Sequence, residues 1–321
     1  MLHAVHPARS IALALVAVLV ALLAVVRPVA LAADPSPSSE TGTVPLRIAV
    51  STPVLADLVA RTAGPAAEVW SVVPMQGDPH SHEATPRDLE RIGSADLYVE
   101  MGANLERYAE ASAWRRAVNA AGVPVLRLSD HLELILTGLV VDHGDHVHDY
   151  RTGDPHVWLD PAYVRRIVAL VAGELTGLRP AEASVFEAAS AAYDAELTAL
   201  EAELVDAFSV LPAERRKLVV LHDAYAYLAA RFGFEVIGWV SQNPSQEPSA
   251  ADIEDLLRVV TEAEVPAVFS EPQLEDDILR MVAAEAGVEV GLLLADSFWG
   301  DVDSYVELMR HNRDELVRIL G

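Results

Sequence analysis

The chain has 321 residues, 52% of them hydrophobic, and a formal net charge of −25 at pH 7. So acidic a protein repels nucleic acid and anionic lipid, which argues against nucleic-acid-binding functions. It contains no cysteine, so we expect neither a disulfide framework nor a lipidated N-terminal cysteine. Any metal site must then use nitrogen and oxygen ligands, which disfavours thiolate-seeking metals such as Cu(I).

Residues 1–33 have the pattern of a secretory signal peptide. Arg9 supplies a positive charge, residues 11–26 are an unbroken apolar run, and small residues around Ala32 and Ala33 suit a signal peptidase. The run approaches the minimum of about 17 residues for a membrane span, so an uncleaved anchor is the alternative. Residues 34–45 follow as a flexible tether rich in proline and serine. We therefore expect an exported, periplasmic protein.

The first half of the body alternates short β-branched runs with amphipathic stretches, a pattern typical of parallel α/β architecture. In chain order, the predicted elements are strand 46–51, helix 54–62, strand 68–73, helix 86–92, strand 96–100, helix 107–121 and strand 124–128. We expect them to form an N-terminal α/β lobe over residues 46–178.

The second half repeats this order. The predicted elements are strand 217–221, helix 224–232, strand 234–240, a helix capped by Ser249 and ending near Ala263, strand 267–270, helix 275–286, strand 289–294 and helix 303–320. Residues 83–90 and 247–254 match collinearly, which indicates two similar lobes, although chance resemblance between β-α units is the alternative. The C-terminal lobe is expected over residues 212–321.

A long helix is predicted within a linking segment at residues 179–211. Apolar residues recur every three or four positions from Phe186 to Leu211, and no glycine or proline interrupts residues 181–211. Such a helix would be roughly 45 Å long at about 1.5 Å per residue. The fold class is therefore α/β, with two similar lobes of parallel sheet joined by one stiff helix that would restrict hinge closure.

The tripeptide Asp-Pro-His occurs twice, at residues 78–80 and 154–156, in a chain with only 11 histidines. Proline restricts the backbone, so each turn presents its histidine stiffly. Asp78 and Asp154 are placed either to accept the ring N–H of a histidine or to cap the local backbone. Such a repeated turn is difficult to explain by packing and points to a metal site.

Four coordinating side chains lie near predicted strand ends, where ligands bind in open parallel sheets: His80, His156, His222 and Asp296. Two come from each predicted lobe, so we expect them to meet in the cleft between the lobes. Three neutral imidazoles and one carboxylate complete a tetrahedral shell for Zn²⁺. No obvious position is left for an activated water, which favours holding the ion over catalysis. Each residue taken alone could instead be structural.

Further histidines lie close in sequence to the two Asp-Pro-His turns. Residues 142–149 place His143, His146 and His148 among aspartates, a composition that predicts weak, fluxional metal capture without fixed geometry. The alternative for this run is a solvated loop. His82, two residues beyond His80, is either a spare ligand or a partly exposed loop histidine.

At these motifs the chain resembles the cluster A-I solute-binding proteins of zinc and manganese ABC importers, the ZnuA/TroA-like family. The resemblance covers about residues 46–320, and its main motifs are residues 77–80, 83–86, 102–106, 154–161, 222–225, 271–273 and 305–312. It implies two α/β lobes joined by a long helix, with one metal held in the cleft by residues His80, His156, His222 and Asp296. Two features depart from the family: the histidine-rich insert is short, and His82 replaces a usually aromatic residue.

The sequence thus predicts a non-enzymatic receptor that carries Zn²⁺ as transported ligand to the membrane permease of an ABC importer. Mn²⁺ is the alternative cargo, although three imidazoles suit zinc better. A secreted metallohydrolase would need an open coordination position and a general base such as that of H-E-x-x-H, which the sequence lacks. A metal-sequestering surface protein is a third reading. We expect a monomer, with a periplasmic metallochaperone as an optional second partner.

Overall fold

Two four-stranded parallel sheets carry the fold. The computed structural model describes residues 44–106, 113–137, 140–142, 147–149, 152–241 and 248–321. The predicted signal peptide and most of the tether lie outside these ranges, as do His143 and His146. Residues 45–321 form one compact unit. Among the helices of the described ranges, none combines the length and apolarity that crossing a membrane requires.

The first sheet has the strand order β2-β1-β3-β4. Its strands are β1 (Leu46–Val50), β2 (Ala67–Ser71), β3 (Leu97–Glu100) and β4 (Val125–Arg127). The helices of this half are α1 (Pro53–Ala63), α2 (Pro86–Gly93), α3 (Ala113–Ala121) and α4 (Pro161–Leu178). β1 is buried except at Arg47, because it lies between β2 and β3 with apolar side chains on both faces.

The second sheet repeats this order as β10-β9-β11-β12. Its strands are β9 (Lys217–His222), β10 (Glu235–Ser241), β11 (Ala267–Ser270) and β12 (Glu289–Leu292). Its helices are α6 (Ala226–Phe232), α7 (Ala250–Glu262), α8 (Asp277–Ala286) and α9 (Tyr305–Leu320). The shared order agrees with the predicted similarity of the two halves.

Matching capping boxes begin α2 and α7. Thr85 accepts a hydrogen bond from the Asp88 amide and Asp88 accepts one from the Thr85 amide; Ser249 and Asp252 make the same pair. Each box satisfies two backbone N–H groups that the first helical turn leaves without partners. These residues are equivalent in the sequence repeat, so the repeat extends to local hydrogen bonding.

The structure contains two short antiparallel ribbons that the sequence did not predict. One pairs β5 (Leu136–Thr137) with β8 (Thr152–Gly153), and the other pairs β6 (Val140–Asp142) with β7 (Val147–Asp149). Strands of two or three residues have too few side chains for alternation to be recognised. The histidine-rich run thus begins and ends in paired strands, and His148 lies on β7.

The long helix α5 (Ala183–Ser209) lies between the two sheet regions in the sequence. It contacts α1 and α4 from the first half and α9 from the second. Its buried face carries the predicted apolar residues, among them Phe186, Leu197 and Phe208. The helix is shorter than the predicted 181–211, because Pro180–Glu182 form a separate 3₁₀ turn. Its length is about 40 Å at about 1.5 Å per residue.

Candidate metal centre

The four predicted ligands lie together. His80 belongs to the loop after β2, His156 precedes α4, His222 is the last residue of β9 and Asp296 follows β12. All four are buried, with exposed fractions of 7%, 3%, 0% and 1% respectively. One potential ligand atom from each lies within 4.8 Å of the others. Both halves of the chain therefore contribute coordinating groups to one place.

The Asp296 carboxylate faces all three imidazoles. Its Oδ2 lies 3.3 Å from Nε2 of His80 and 3.3 Å from Nε2 of His222, while its Oδ1 lies 3.6 Å from Nε2 of His156. The Nε2 atoms of His80 and His156 are 3.5 Å apart. The three ring centroids are separated by 5.3 to 5.5 Å. The inward-facing nitrogen of every ring is therefore Nε2.

The two Asp-Pro-His turns are built alike at the backbone and differ at the ring. Asp78 accepts the His80 amide at 2.8 Å, and Asp154 accepts the His156 amide at 2.9 Å. Asp154 also contacts Nδ1 of His156 at 2.7 Å, whereas the second oxygen of Asp78 accepts the Ser81 hydroxyl. Both roles expected of these aspartates occur, but only Asp154 performs the two together.

Glu271 holds the third imidazole. Its Oε1 lies 2.5 Å from Nδ1 of His222, and its Oε2 accepts the Gln273 amide at 3.0 Å. A proton on Nδ1 leaves Nε2 as the atom with a free lone pair. Sequence reasoning did not assign Glu271 this role. It directly follows β11, so the strand-end rule that found His222 could also have found it.

Charges within the cluster oppose the effect of burial on its pKa values. Burial would lower the pKa of His222, but the Glu271 and Asp296 carboxylates outweigh it and hold that pKa well above its ordinary value. The pKa of His156 is raised in the same way, against burial, by Asp296 and Asp154. Burial would raise the pKa of Asp296, but His156, His222 and His80 hold it well below its ordinary value.

Several polar atoms at this point have no aligned hydrogen bond. Both carboxylate oxygens of Asp296 and Nε2 of His222 are buried without a hydrogen-bond partner. The 3.3 Å approach between His222 and Asp296 is within reach of an ion pair, but its geometry does not satisfy a hydrogen bond. Leaving such groups unpaired costs about 1–3 kcal/mol each. A cation between them would satisfy all of them, so the donor set fits a metal.

His82 and His311, which the structure describes, are not members of this group. His82 is half-buried, and its Nε2 is buried without a hydrogen-bond partner. The metal-holding group found among the described residues does not include it. His311 directs Nε2 to the Leu292 carbonyl at 3.1 Å, which is a structural contact. Metal capture at His143, His146 and His148 stays a prediction.

Comparison with known proteins decides the family. The family described as zinc-uptake complex component A, periplasmic (ZnuA), matches residues 48–319, most of the chain. The chain belongs to the ZnuA family. Its homologues are solute-binding proteins of metal ABC transporters, and the family consists of receptors and not of enzymes. This confirms the resemblance inferred from the motifs and argues against the metallohydrolase alternative.

Individual relatives of this ZnuA-family chain differ in the metal they are named for. It is 28% identical over 301 residues to the manganese-binding lipoprotein MntA of Halalkalibacterium halodurans, covering 91% of this chain and 96% of the relative. It is 31% identical over 256 residues to the zinc-binding protein TroA of Treponema pallidum, covering 76% and 79%.

Solved structures agree with the fold. The structure of TroA from Treponema pallidum has a TM-score of 0.76 at 26% identity and covers 87% of this chain and 100% of its own. A ZnuA deletion mutant with zinc bound has a TM-score of 0.74 at 27% identity and covers 87% and 99%. These likenesses extend over both sheets and the long helix, so the fold prediction is confirmed.

Proposed function

We propose that the chain is an exported receptor that binds one Zn²⁺ with high affinity through His80, His156, His222 and Asp296. It then delivers the ion to the permease of an ABC importer. The ion is cargo, and the protein performs no chemical turnover. The relatives named as substrate-binding proteins of metal ABC transporters support the permease as partner, and the predicted signal peptide supports a periplasmic location.

The spacing of the inward-facing atoms is the observation that carries the proposal. Zn²⁺ takes imidazole nitrogen at about 2.0–2.1 Å in tetrahedral geometry, and neighbouring ligands of such a tetrahedron are about 3.3–3.4 Å apart. The separations between the carboxylate oxygens and the imidazole nitrogens are 3.3, 3.3 and 3.6 Å, and two of the nitrogens are 3.5 Å apart. These four separations are therefore close to the distances between neighbouring ligands of a zinc shell.

Manganese is the second candidate cargo. Mn²⁺ favours more oxygen ligands than zinc, and both oxygens of Asp296 are buried and face imidazoles, so a bidentate carboxylate could add a fifth donor. Relatives of this chain that are named for manganese include MntA and two PsaA proteins. Three nitrogen donors against one carboxylate still favour zinc, since zinc also stands above manganese in the general affinity order.

Competition titration tests the proposal. Metal-free protein is titrated with Zn²⁺ in the presence of a chelator of known affinity, alone and with excess Mn²⁺, and His222→Ala is measured beside it. We expect one tightly bound zinc per chain, little displacement by manganese, and loss of tight binding in His222→Ala. Tight zinc binding in His222→Ala would contradict the ligand assignment. Displacement of zinc by manganese would identify manganese, rather than zinc, as the cargo.

A further inference from the structure

Two side chains cross between the halves of the chain and end beside metal ligands. Tyr227, on α6 of the second half, contacts the turn that carries His156 of the first half. Trp158, in the first half, contacts the backbone next to Asp296 of the second half. We infer that Tyr227 and Trp158 are positioning residues through which each half sets the metal ligand of the other. The inference rests on the proposed metal-binding function.

The Tyr227 hydroxyl joins two segments of the first half. It accepts a hydrogen bond from the Ile135 amide at 2.9 Å and donates one to the Asp154 carbonyl at 2.9 Å. The Asp154 amide donates to the Ile135 carbonyl at 2.8 Å, which closes the link. Tyr227 is 1% exposed. Since the Asp154 carboxylate holds both the amide and the ring of His156, Tyr227 fixes the base of that ligand from the opposite half.

Trp158 makes the reciprocal contact. Its indole Nε1 donates to the Ala295 carbonyl at 2.8 Å, one residue before Asp296, and the side chain is fully buried. Its ring also lies against the His156 imidazole, with centroids 5.6 Å apart in an edge-to-face arrangement. One rigid side chain therefore touches a ligand of the first half and the backbone that carries the ligand of the second.

Both contacts require the two halves to be docked. A metal shell composed of two ligands from each half is complete only in that arrangement, and the two crossing side chains stabilise the same arrangement. Docking of the halves and assembly of the site are thus one event. Loosening either contact should lower the free-energy barrier to metal dissociation by more than it lowers the free energy of unfolding of the metal-free protein.

The experiment compares Tyr227→Phe with Tyr163→Phe in the full chain. Tyr163 packs its ring on Tyr227 with centroids 5.0 Å apart and donates its hydroxyl to the Glu133 carbonyl at 2.7 Å, so it loses an equivalent group without touching a ligand turn. Trp158→Phe is paired with Trp239→Phe, a half-exposed tryptophan on β10. Zn²⁺ dissociation into a chromogenic chelator is followed by stopped flow, and Co²⁺ absorption reports coordination geometry.

We expect Tyr227→Phe and Trp158→Phe to release zinc on the order of 10-fold faster and to alter the Co²⁺ spectrum. Effects of this size are typical of residues that hold a metal ligand in place without binding the metal themselves. The two control variants should do neither. In the double variant, the fold-increase in the zinc dissociation rate should be smaller than the product of the two single-variant increases, because both residues act on one docking event. Thermal unfolding of the metal-free variants checks their fold, and Tyr227→Phe alone suffices if Trp158→Phe does not fold.

Equal dissociation rates in Tyr227→Phe and Tyr163→Phe would overturn the positioning role. A double variant whose fold-increase in dissociation rate equals the product of the two single increases would show that the residues do not act on one docking event. Both results presuppose wild-type protein that binds one zinc. Wild-type protein without a defined zinc stoichiometry would instead refute the proposed function itself.

Discussion

The Asp296 carboxylate is the group on which the three imidazoles converge. It is the only anion whose oxygens lie within 3.3 to 3.6 Å of Nε2 atoms of His80, His156 and His222 among the described contacts. Residue-scale reasoning from the sequence found these four residues, because strand ends and stiff proline turns can be recognised in a chain. It missed Glu271, although that residue directly follows a strand, and it missed Tyr227 and Trp158, because contacts between distant segments depend on packing that one sequence does not reveal.

Asp296→Asn should lower zinc affinity at least ~100-fold, which is more than is typical for residues that do not bind the metal directly. The reason is that the substitution removes the negative charge of the side chain and one of its two acceptor oxygens. Isothermal titration of purified protein measures the effect. Asp301→Asn, at an exposed position shortly after it in the sequence, is the matched control and should bind as the wild type does. Equal affinity in the two variants would exclude Asp296 as a ligand.

The metal-free protein should lose stability as pH rises above about 6.5, the unfolded pKa of histidine. The pKa values of His222 and His156 are raised in the fold, so their protonated forms stabilise it fully below that pH. This contribution is lost as pH rises through the raised pKa values. Zinc requires neutral imidazoles, so the difference in Tm between zinc-bound and metal-free protein should widen over the same range.

Thermal unfolding with and without zinc between pH 6 and 9, a range chosen around the imidazole pKa, measures this widening. Glu271→Gln is the control, because it removes the carboxylate that most raises the pKa of His222 and should flatten the pH dependence of the metal-free protein. A gap between the two Tm values that did not change with pH would contradict the assignment of imidazoles to the shell.

At the scale of elements, the sequence predicted most strands and helices within a few residues and missed the two short ribbons. Amphipathic periodicity and caps such as Ser249 with Asp252 are local signals, so the helices could be located. The ribbon β6–β7 depends on pairing across the histidine-rich run, which local periodicity does not encode. The run therefore begins and ends in a paired structure rather than in a simple loop.

Replacing His143, His146 and His148 together with alanine should leave zinc stoichiometry at one and slow only the capture of zinc at low concentration. The physical reason is that the proposed site takes its four ligands from His80, His156, His222 and Asp296, which lie together among the described residues. Equilibrium dialysis gives the stoichiometry, and stopped-flow mixing gives the capture rate. Asp142→Asn with Asp149→Asn serves as a charge control within the same run. Loss of tight binding in the alanine variant would place the run in the ligand shell.

At the scale of the molecule, α5 and several side-chain contacts join the two halves of the chain. The Asp57 carboxylate on α1 accepts the Tyr305 amide at the start of α9, and Arg310 and Arg313 of α9 pair with Glu203 of α5. The sequence predicted the long helix and a restricted hinge, but it could not predict these contacts. The similarity of the two halves was predicted from repeated local patterns, whereas the strand order within each sheet was not predicted.

The radius of gyration expected for a folded chain of this size is roughly 19 Å, and zinc binding should therefore change it by no more than about 1 Å. Small-angle X-ray scattering of metal-free and zinc-loaded protein measures the change, with His222→Ala plus zinc as the control for nonspecific effects. A contraction of several ångströms on zinc addition would show a hinge that α5 does not restrain.

The most direct test of the central claim is the metal content of the protein isolated from the cell that makes it, measured by elemental mass spectrometry. The cluster of His80, His156, His222 and Asp296 predicts one zinc per chain, and His222→Ala isolated in parallel should retain far less than one. One manganese per chain, or zinc retained in full by His222→Ala, would contradict it.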